Sequence, residues 1–274
     1  MSKEPVSAIV VTFNTGPRLK ECLYALHADP DVFEIVVVDN GNPADMQTWL
    51  EDFASARAAV ELCVGQGNIG FGAAVNLGVD RANGPHLLVI NPDAVLRRNS
   101  IAPLQQTATG LSDPWIIGGK IFDLYGREER GPRRKELTLW RSVNRMIGIN
   151  NWTLEQTPPP DGPIEMPVIS GAFFLTSKGS MARLSGFDED YFLHVEDVDL
   201  CRRCREAGGT VMYDPRAGAL HYGSTSDAPS RIVSKHKADS LARYFRKFAT
   251  GPLSRIMAEI AIPFIRLGMR LKSN

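Results

Sequence analysis

Short apolar runs alternate with helix-like stretches through the first third of the chain. Continuous runs rich in Val and Ile are typical of strands that are buried on both faces of a sheet. Four such runs occur, over Ser7–Phe13, Glu34–Asp39, Ala59–Val64 and His86–Ile90. Apolar residues at three- and four-residue spacings between them predict helices over Arg18–His27, Gln47–Ala58 and Phe71–Arg81. The alternation predicts an α/β fold with a Rossmann-like, mostly parallel central sheet and helices on both faces.

The regular pattern breaks down between residues 124 and 167. Charged residues and prolines there predict an irregular insertion. The pattern resumes with a strand over Val168–Leu175 and a helix from Asp197 to Ala207, which two glycines terminate. A further strand is predicted over Thr210–Tyr213, and a loop separates it from His221.

The segment after about residue 230 is predicted to be helical to its end, with an interruption or kink at Pro263. Its apolar residues recur every three or four positions with arginines between them. These apolar positions are Leu253, Ile256, Met257, Ile260, Phe264, Leu267 and Leu271. Packing of this amphipathic helix on the rest of the chain is the simpler interpretation, and a helix lying in a membrane interface is the alternative.

Charge is distributed unevenly along the 274 residues, although the chain contains 31 basic and 31 acidic residues. Residues 231–274 hold ten Lys and Arg against two acidic residues, so they carry +8 and the remainder carries −8. The overall balance argues against a general nucleic-acid binder, which must neutralise many phosphates. A basic tail favours an anionic membrane surface as partner. Because no signal-like or membrane-spanning run is found, we expect a cytoplasmic protein, peripheral on the inner face of the cell membrane.

Polar side chains stand where three of the predicted strands end. They are Thr12 and Asn14, Asp39 and Asn40, and Asn91 and Asp93. Ligands of parallel α/β sheets bind beyond the carboxyl ends of the strands, so these side chains predict a pocket. Within Asn91-Pro92-Asp93, the carboxylate could bind Mg²⁺ or Mn²⁺ together with a diphosphate.

A glycine-rich loop, Gly65-Gln66-Gly67-Asn68-Ile69-Gly70, has the spacing of a dinucleotide-binding fingerprint. That fingerprint normally occupies the first strand–helix turn, whereas two strand–helix units precede this loop. An oxidoreductase that uses NAD or FAD is therefore the weaker alternative. A non-catalytic module that binds a nucleotide sugar is a second alternative.

Six carboxylates occur within residues 188–199, interleaved with aromatic residues. Acidic residues in a first helical turn complement the helix dipole, which explains part of this cluster. A carboxylate held at a helix start beside a pocket is also placed to take a proton from a hydroxyl nucleophile. Asp197 is the residue of this cluster that we expect to do so.

Taken together, these motifs resemble the family 2 glycosyltransferases with the GT-A fold, in particular the branch with bacterial rhamnosyltransferases. The resemblance covers most of residues 5–226, with six motifs in the expected order. They are Val10–Asn14, Val37–Asn40, Asn68–Gly72 with Asn76–Gly78, Asn91–Ala94, Ser170–Phe173, and Gly186–Glu189 through Glu196–Leu200.

The resemblance implies a role for particular residues. The implied donor nucleotide-binding residues are Thr12, Asn14, Asp39, Asn40, Gly70, Phe71, Asn76 and Asn91. Asp93 would hold a divalent cation, Mg²⁺ or Mn²⁺, with His221 as a second ligand. Asp197 would be the general base, and Glu196 and Gly171 would bind the acceptor. Asn91 replaces the first Asp of the family's Asp-x-Asp motif, which removes one charge and leaves strict metal dependence open.

The resemblance also implies the reaction and the organisation of the chain. An inverting transfer of rhamnose from dTDP-rhamnose to a hydroxyl of a lipid-linked or cell-surface glycan is expected, with a UDP-hexose donor as the alternative. Residues 1–230 would form the GT-A catalytic domain, in which about 1–110 bind the nucleotide sugar and about 111–230 the acceptor. Residues 231–274 would form the basic amphipathic helical tail. No nucleic-acid partner is expected.

Overall fold

The computed structural model describes residues 4–129, 131–146, 160–223 and 229–272. Strands and helices alternate through the first part of the chain, as predicted. The elements of this part are β1 (Val6–Thr12), α1 (Arg18–His27), β2 (Val32–Asp39), α2 (Ala44–Ser55), β3 (Val60–Cys63), α3 (Phe71–Arg81) and β4 (His86–Ile90). Three predicted ranges, those of α1, α3 and β4, agree with the structure at both ends, and the α2 range differs by three residues at each end.

The second part of the chain completes the sheet and adds helices around it. Its strands are β5 (Ala94–Leu96), β6 (Trp115–Phe122), β7 (Arg133–Arg134), β8 (Ile164–Glu165), β9 (Val168–Ile169), β10 (Phe173–Ser177) and β11 (Thr210–His221). Its helices are α4 (Ile101–Ala108), α5 (Leu139–Met146), α6 (Lys178–Leu184), α7 (Glu196–Glu206), α8 (Ser230–Lys247) and α9 (Pro252–Lys272). The predicted irregular insertion thus contains short elements where it is described, and its residues 130 and 147–159 lie outside the described part.

The central sheet has the strand order β3-β2-β1-β4-β10-β6-β11-β5, with β8 beside β11. Strands β1, β2, β3, β4, β6 and β11 run in one direction, whereas β5, β8 and β10 run against them. The α/β class with a mostly parallel sheet is therefore confirmed. Strands β7 and β9 form a separate antiparallel pair.

Both faces of the sheet are covered because successive side chains of a strand point to opposite faces. Ile9 and Val11 of β1 belong to a core that also contains Ala74 of α3. The intervening Ala8 and Val10 belong to a second core on the other face, with helices α1 and α2. The continuous apolar runs of the sequence arise from this double burial.

Two strand predictions are corrected by the structure. The single strand predicted over Val168–Leu175 is divided by a turn at residues 170–172, after which β10 runs antiparallel between β4 and β6. The loop predicted before His221 is instead part of β11, which continues with an irregularity between Asp214 and Gly218. That irregularity accommodates the buried Asp214 carboxylate, which accepts hydrogen bonds from Arg216 and Thr107.

The tail forms two helices rather than one, separated at residues 248–251, and α9 continues through Pro263 without interruption. Helix α9 packs on the rest of the molecule through Ala258, Ile262 and Ile265, each at most 2% exposed. The apolar positions singled out from the sequence form the opposite face. Leu253, Ile256, Met257, Ile260, Phe264 and Leu267 are each more than half exposed, and the Leu271 side chain lies outside the described part. No helix among the described residues has the length and apolar character needed to cross a membrane.

Candidate active site

The ends of β1 and β2 are joined by a buried polar network. Asp39 Oδ1 accepts hydrogen bonds from the backbone N–H groups of Gly41 and Asn42 and from Asn42 Nδ2, at 2.9, 3.0 and 2.8 Å. Asn42 Nδ2 also donates to Thr12 Oγ1 at 3.1 Å. Thr12, Asp39 and Asn42 are all buried. Two of the predicted nucleotide-binding residues are therefore held rigidly by Asn42, a residue that the sequence analysis did not select.

Asn40 connects this network to the glycine-rich loop, because its Nδ2 donates to the Gly70 carbonyl at 3.0 Å. Asn40 is 2% exposed, and its Oδ1 has no hydrogen-bond partner among the described residues. Gly70 has φ of +87°, and a Cβ at this position would lie 2.6 Å from the carbonyl oxygen of Phe192. Phe71 N donates to the same carbonyl at 3.0 Å. Gly70 and Phe71 thus bring the loop against the segment that precedes α7.

The other predicted nucleotide-binding residues have different surroundings. Asn14 adopts a left-handed backbone with φ of 46°, and its N–H donates to the Gly41 carbonyl at 3.1 Å, beside the Asp39 network. Asn76 uses its amide to bind the main chain of Phe187 through both Oδ1 and Nδ2, at 2.8 and 2.9 Å. The structure gives Asn76 a bridging contact between α3 and the acidic segment, and its contact with a nucleotide stays a prediction.

Asn91 and Asp93 follow β4, and both approach His221 at the end of β11. His221 Nε2 lies 3.2 Å from Asp93 Oδ1 and 3.4 Å from Asn91 Nδ2, and Nδ1 lies 3.1 Å from Glu129 Oε1. Burial lowers the pKa of His221, but the hydrogen bonds and charges of Asp93 and Glu129 outweigh it, so the pKa is raised. The structure therefore brings together the two residues that the sequence analysis assigned to a metal.

The described residues contain no group of three or more His, Cys, Asp or Glu side chains that could hold a metal ion by themselves. Mg²⁺ is commonly held by one or two carboxylates together with substrate phosphates, rather than by a cage of protein ligands. Asp93 is 6% exposed and His221 provides one nearby nitrogen, so this pair fits a cation that takes its remaining ligands from a diphosphate.

Asp197 occupies the first turn of α7 and is held from two sides. Its Oδ2 accepts a hydrogen bond from the backbone N–H of Gly171 at 3.0 Å and forms an ion pair with Arg134 of β7. A Cβ at position 171 would lie 3.2 Å from Asp197 Cβ, so the glycine allows this close approach. Gly171, predicted to bind the acceptor, therefore positions the predicted base.

Glu196 precedes Asp197 and is buried, with Oε2 lacking a hydrogen-bond partner among the described residues. Burial and the charge of Asp197 raise the pKa of Glu196 to about 8, which favours the protonated form of its carboxyl. The helix start is formed by His194 and Val195 in left-handed backbone conformations, with φ of 67° and 73°. Burial and the positive charge of Lys237 lower the pKa of His194 to about 4.

The turn between β9 and β10 joins the two halves of the site. Gly171 N donates to Asp197, and the adjacent Ala172 carbonyl accepts a hydrogen bond from Asn91 N at 2.9 Å. Asp197 is therefore linked through one dipeptide to the segment that contains Asp93. The predicted base and the predicted metal ligand border the same region of the sheet, although they are separated by more than 100 positions in sequence.

A cavity of about 280 Å³ adjoins Asp197 on the side of the C-terminal helices. Glu196 and Asp197 line it together with Arg134, Lys135 and Lys237, and the strand-end residues Thr12, Asp39 and Asp93 do not. These cations and Glu129 were not predicted from the sequence. Arg134, Lys135 and Glu129 belong to a charged segment that was interpreted as an irregular insertion, and only its pairing as β7–β9 brings Arg134 to Asp197.

The family model for glycosyl transferase family 2 matches residues 7–183 of the chain. Among curated relatives, the N-acetylglucosaminyl-diphospho-decaprenol L-rhamnosyltransferase of Mycobacterium tuberculosis is 28% identical over 252 residues, which cover 84% of this chain and 81% of the relative. The rhamnosyltransferase WbbL of Escherichia coli is 25% identical over 231 residues, covering 79% of this chain and 83% of the relative.

Solved structures of similar fold come from other glycosyltransferases. GalNAc-T7, crystallised with UDP, GalNAc and Mn²⁺, superposes with a TM-score of 0.65 at 14% identity over 95% of this chain. This chain spans about half of that protein, 55% of its length. A mannosyltransferase from Pyrobaculum calidifontis, in complex with GDP-Man and Mn²⁺, gives a TM-score of 0.61 at 17% identity, covering 98% of this chain and 74% of that one. These neighbours confirm the predicted GT-A fold.

Proposed function

The chain belongs to glycosyl transferase family 2 and is a glycosyltransferase. We propose that it transfers a sugar to a lipid-linked glycan acceptor and that the transfer inverts the configuration at the anomeric carbon. Its similarity to two rhamnosyltransferases supports rhamnose as the transferred sugar. The donor in this proposal is dTDP-rhamnose, with a UDP-hexose as the alternative. One relative acts on an N-acetylglucosaminyl-diphospho-lipid, which supports an acceptor of that chemistry. Family membership leaves the oxidoreductase and the non-catalytic alternatives without support.

The observation that carries this proposal is the link between Asp197 and the Asn91–Asp93 segment through the turn at Gly171 and Ala172. A single displacement needs a base on one side of the sugar and charge stabilisation behind the leaving group. This link keeps the proposed base, Asp197, in a fixed relation to the proposed diphosphate site at Asp93.

In the donor half, the nucleoside would bind against the Thr12–Asp39–Asn42 network. Asn40 provides a buried amide oxygen that can accept a hydrogen bond from the base or the ribose. Asp93 and His221 would hold a divalent cation against the diphosphate. When bound, that cation neutralises the charge that develops on the leaving nucleoside diphosphate. Solved neighbours with Mn²⁺ support the choice of a divalent cation and leave Mg²⁺ and Mn²⁺ as alternatives.

In the acceptor half, Asp197 would take the proton of the acceptor hydroxyl. The oxygen of that hydroxyl forms a bond to the anomeric carbon in the same step. The bond from that carbon to the donor phosphate breaks, the nucleoside diphosphate leaves, and the configuration inverts. Gly171 N–H and Arg134 orient the carboxylate of Asp197. The protonated Glu196 beside it provides a hydrogen-bond donor to the acceptor and leaves Asp197 as the group that accepts the proton.

The C-terminal helices would place this site at a membrane surface. The exposed apolar face of α9 and the net charge of +8 on residues 231–274 support binding to an anionic membrane. This arrangement would leave the catalytic domain on the cytoplasmic side of the cell membrane, where the activated donors are available. The division into a catalytic domain over 1–230 and a tail remains part of the proposal, since helix α8 contributes Leu241 and Tyr244 to the core around α3 and α7.

A donor screen tests the proposed function. Purified protein with Mg²⁺ or Mn²⁺ is incubated with an N-acetylglucosaminyl-diphospho-lipid and, in turn, dTDP-rhamnose, UDP-glucose, UDP-GlcNAc and GDP-mannose, and the released nucleoside diphosphate is measured. We expect acceptor-dependent release with dTDP-rhamnose. Release with UDP-hexoses alone would replace the rhamnosyl assignment, and no acceptor-dependent release with any donor would contradict the proposed reaction. The Asp197→Asn variant provides the background rate.

A further inference from the structure

The cavity beside Asp197 is lined by both cationic and apolar side chains. Arg134, Lys135 and Arg141 come from β7, α5 and the chain between them, and Lys237 comes from α8. Val168, Leu241 and Ile265 line the same space, with Gly268 and Met269 of α9. Even with Glu196 and Asp197 both ionised, the cationic side chains outnumber the carboxylates by two. Such a cavity fits an anionic group that is attached to a hydrocarbon chain.

This cavity is separate from the place proposed for the donor diphosphate. None of the residues that end β1, β2 and β4 lines it, and the turn between β9 and β10 hydrogen-bonds to Asp197 of the cavity at Gly171 and to Asn91 at Ala172. An anion in this cavity would therefore belong to a second ligand. The direct contact of Arg134 with Asp197 places that anion next to the group that would activate the acceptor.

Buried polar atoms without partners indicate that the cavity is incomplete in the free protein. Glu196 is 6% exposed and its Oε2 has no hydrogen-bond partner, and Arg134 Nε also lacks one, among the described residues. An unsatisfied buried donor or acceptor costs free energy, which a ligand that provides the missing partner recovers. A phosphate accepts from Arg134, and a sugar hydroxyl can bond with Glu196.

We propose that this cavity is the subsite for the phosphate or diphosphate of the lipid-linked acceptor, with Lys135, Arg141 and Lys237 binding the anion and α9 contacting the first carbons of the lipid. The inference rests on the proposed function, because it assigns the ligand to the acceptor. It makes the acceptor's phosphate, and not its sugar alone, a determinant of recognition. Glu196 and Asp197 would then contact the sugar that the phosphate carries.

The alternative source of a phosphate attached to a hydrocarbon is a membrane phospholipid. The position of the cavity favours the acceptor, because the phosphate lies beside Asp197 and so brings the attached sugar to the base. The exposed apolar face of α9, in contrast, is the opposite face from Ile265, which lines the cavity. A headgroup bound at the exposed face of α9 would not contact Glu196, which lines the cavity.

Calorimetric titration of the full chain tests the subsite without any transfer reaction. Farnesyl diphosphate is titrated in the presence of a chelator, which suppresses metal-dependent binding at Asp93. We expect the Lys135→Gln/Arg141→Gln double variant to bind at least about tenfold more weakly than wild type, because each loses a charge-assisted hydrogen bond. Lys135→Arg should retain most of the affinity. Arg98→Gln, which removes an exposed cation outside the cavity, should bind as wild type does.

Three results would overturn the proposal. The first is an unchanged affinity of the double variant for farnesyl diphosphate, and the second is that wild type binds farnesol as tightly as farnesyl diphosphate. The third is that the double variant loses as much affinity for phosphatidylglycerol vesicles as it loses for farnesyl diphosphate. The last result would assign the cavity to membrane headgroups. In transfer assays, the double variant should raise KM for a diphospholipid acceptor and leave KM for a phosphate-free alkyl glycoside unchanged. Loss of farnesyl diphosphate binding in a protein that transfers no sugar would contradict the proposed function and not the anion site.

Discussion

The donor and acceptor halves of the site differ in how their polar groups are satisfied. At the ends of β1 and β2, Asp39 receives three hydrogen bonds within its own network, and Asp93 lies against His221. At the start of α7, Glu196 and Arg134 each keep a buried polar atom without a partner among the described residues. In the donor network, the polar atom without a partner belongs to the neutral amide of Asn40. In the acceptor half, the two polar atoms without partners belong to ionisable side chains.

This difference indicates a donor half that is preorganised and an acceptor half that is completed by its ligand. A neutral amide oxygen costs less to leave unsatisfied than the charged guanidinium of Arg134, so the donor network is stable without a nucleotide. The acceptor half instead contains the Arg134–Asp197 ion pair and a protonated Glu196. Substitutions in the two halves should therefore have different signatures, and four of them test the comparison.

Asp197→Asn should have the largest effect. The amide cannot accept the acceptor's proton, so we expect turnover to fall by about 10²- to 10⁴-fold while donor binding changes by less than about twofold. Turnover is measured from nucleoside diphosphate release and donor affinity by calorimetry. Glu206→Gln, at the exposed end of the same helix, is the matched control and should keep wild-type turnover. Turnover within a few-fold of wild type in Asp197→Asn would remove this residue from the role of base.

Asp93→Asn should have the next largest effect, and it should be confined to the donor half. Losing the carboxylate weakens the hold on a divalent cation, so we expect nucleoside diphosphate affinity in the presence of Mn²⁺ to fall at least about tenfold. Without the metal, the variant and wild type should bind alike. Calorimetry with and without Mn²⁺ measures both values, and Asp45→Asn in the exposed first turn of α2 is the control. An equal loss with and without metal would contradict the assignment of Asp93.

Glu196→Gln should change the pH dependence of stability. The pKa of Glu196 is about 8 in the folded chain against an ordinary value of 4.5, so the folded state holds an extra proton between these pH values. Wild-type stability contributed by this group is therefore lost as pH rises through that window, at about 1.4 kcal/mol per pKa unit. Glutamine has no such dependence. We expect the Tm of the variant relative to wild type to rise by several degrees between pH 5 and 9.

The control for this measurement is again Glu206→Gln, whose carboxylate is 52% exposed. Its Tm difference from wild type should change little over the same pH range. A Glu196→Gln difference that is constant from pH 5 to 9 would mean that the carboxyl is ionised throughout. The acceptor half would then be charged in the free protein, and its contrast with the donor half would be lost.

The sequence predicted the donor half better than the acceptor half. Local patterns determine β1, α1, α3 and β4 within about one residue at each end, because their apolar runs and periodicities do not depend on distant residues. The strand-end residues Thr12, Asp39 and Asp93 follow from the parallel order of the strands. Asn42 was missed because nothing in its loop indicates that its amide bonds back to β1.

The acceptor half depends on pairings between distant segments. Arg134 reaches Asp197 only because β7 pairs with β9, and each of these strands has two residues, too few to produce a periodic signal. The turn at Gly171 interrupts what the sequence presents as one apolar strand. Lys237 enters the cavity from α8, a helix whose direction depends on tertiary packing. The motif at Glu196 and Asp197 was visible in the sequence, whereas the cations around it were not.

The smallest expected effect concerns the exposed face of α9, where the acceptor half would meet the membrane. Deleting the tail is a poor test, because α8 and α9 bury Leu241, Tyr244 and Ile265 in the core and their loss would disturb the fold. Ile260→Ser with Phe264→Ser changes residues that are 61% and 63% exposed and leaves that core intact. Each apolar side chain removed from the interface weakens binding in proportion to its buried area, so we expect a severalfold loss of affinity for phosphatidylglycerol vesicles.

Sedimentation with vesicles at low and high salt separates the apolar contribution from the electrostatic one. Because apolar burial is not screened, the double variant should differ from wild type at both salt concentrations, whereas Arg255→Gln should differ mainly at low salt. Phe33→Ser with Leu124→Ser removes apolar side chains of similar exposure, 55% and 66%, away from α9 and should bind as wild type does. Equal binding by the α9 variant would mean that this face does not contact the lipid, and the acceptor would have to reach the cavity by another side.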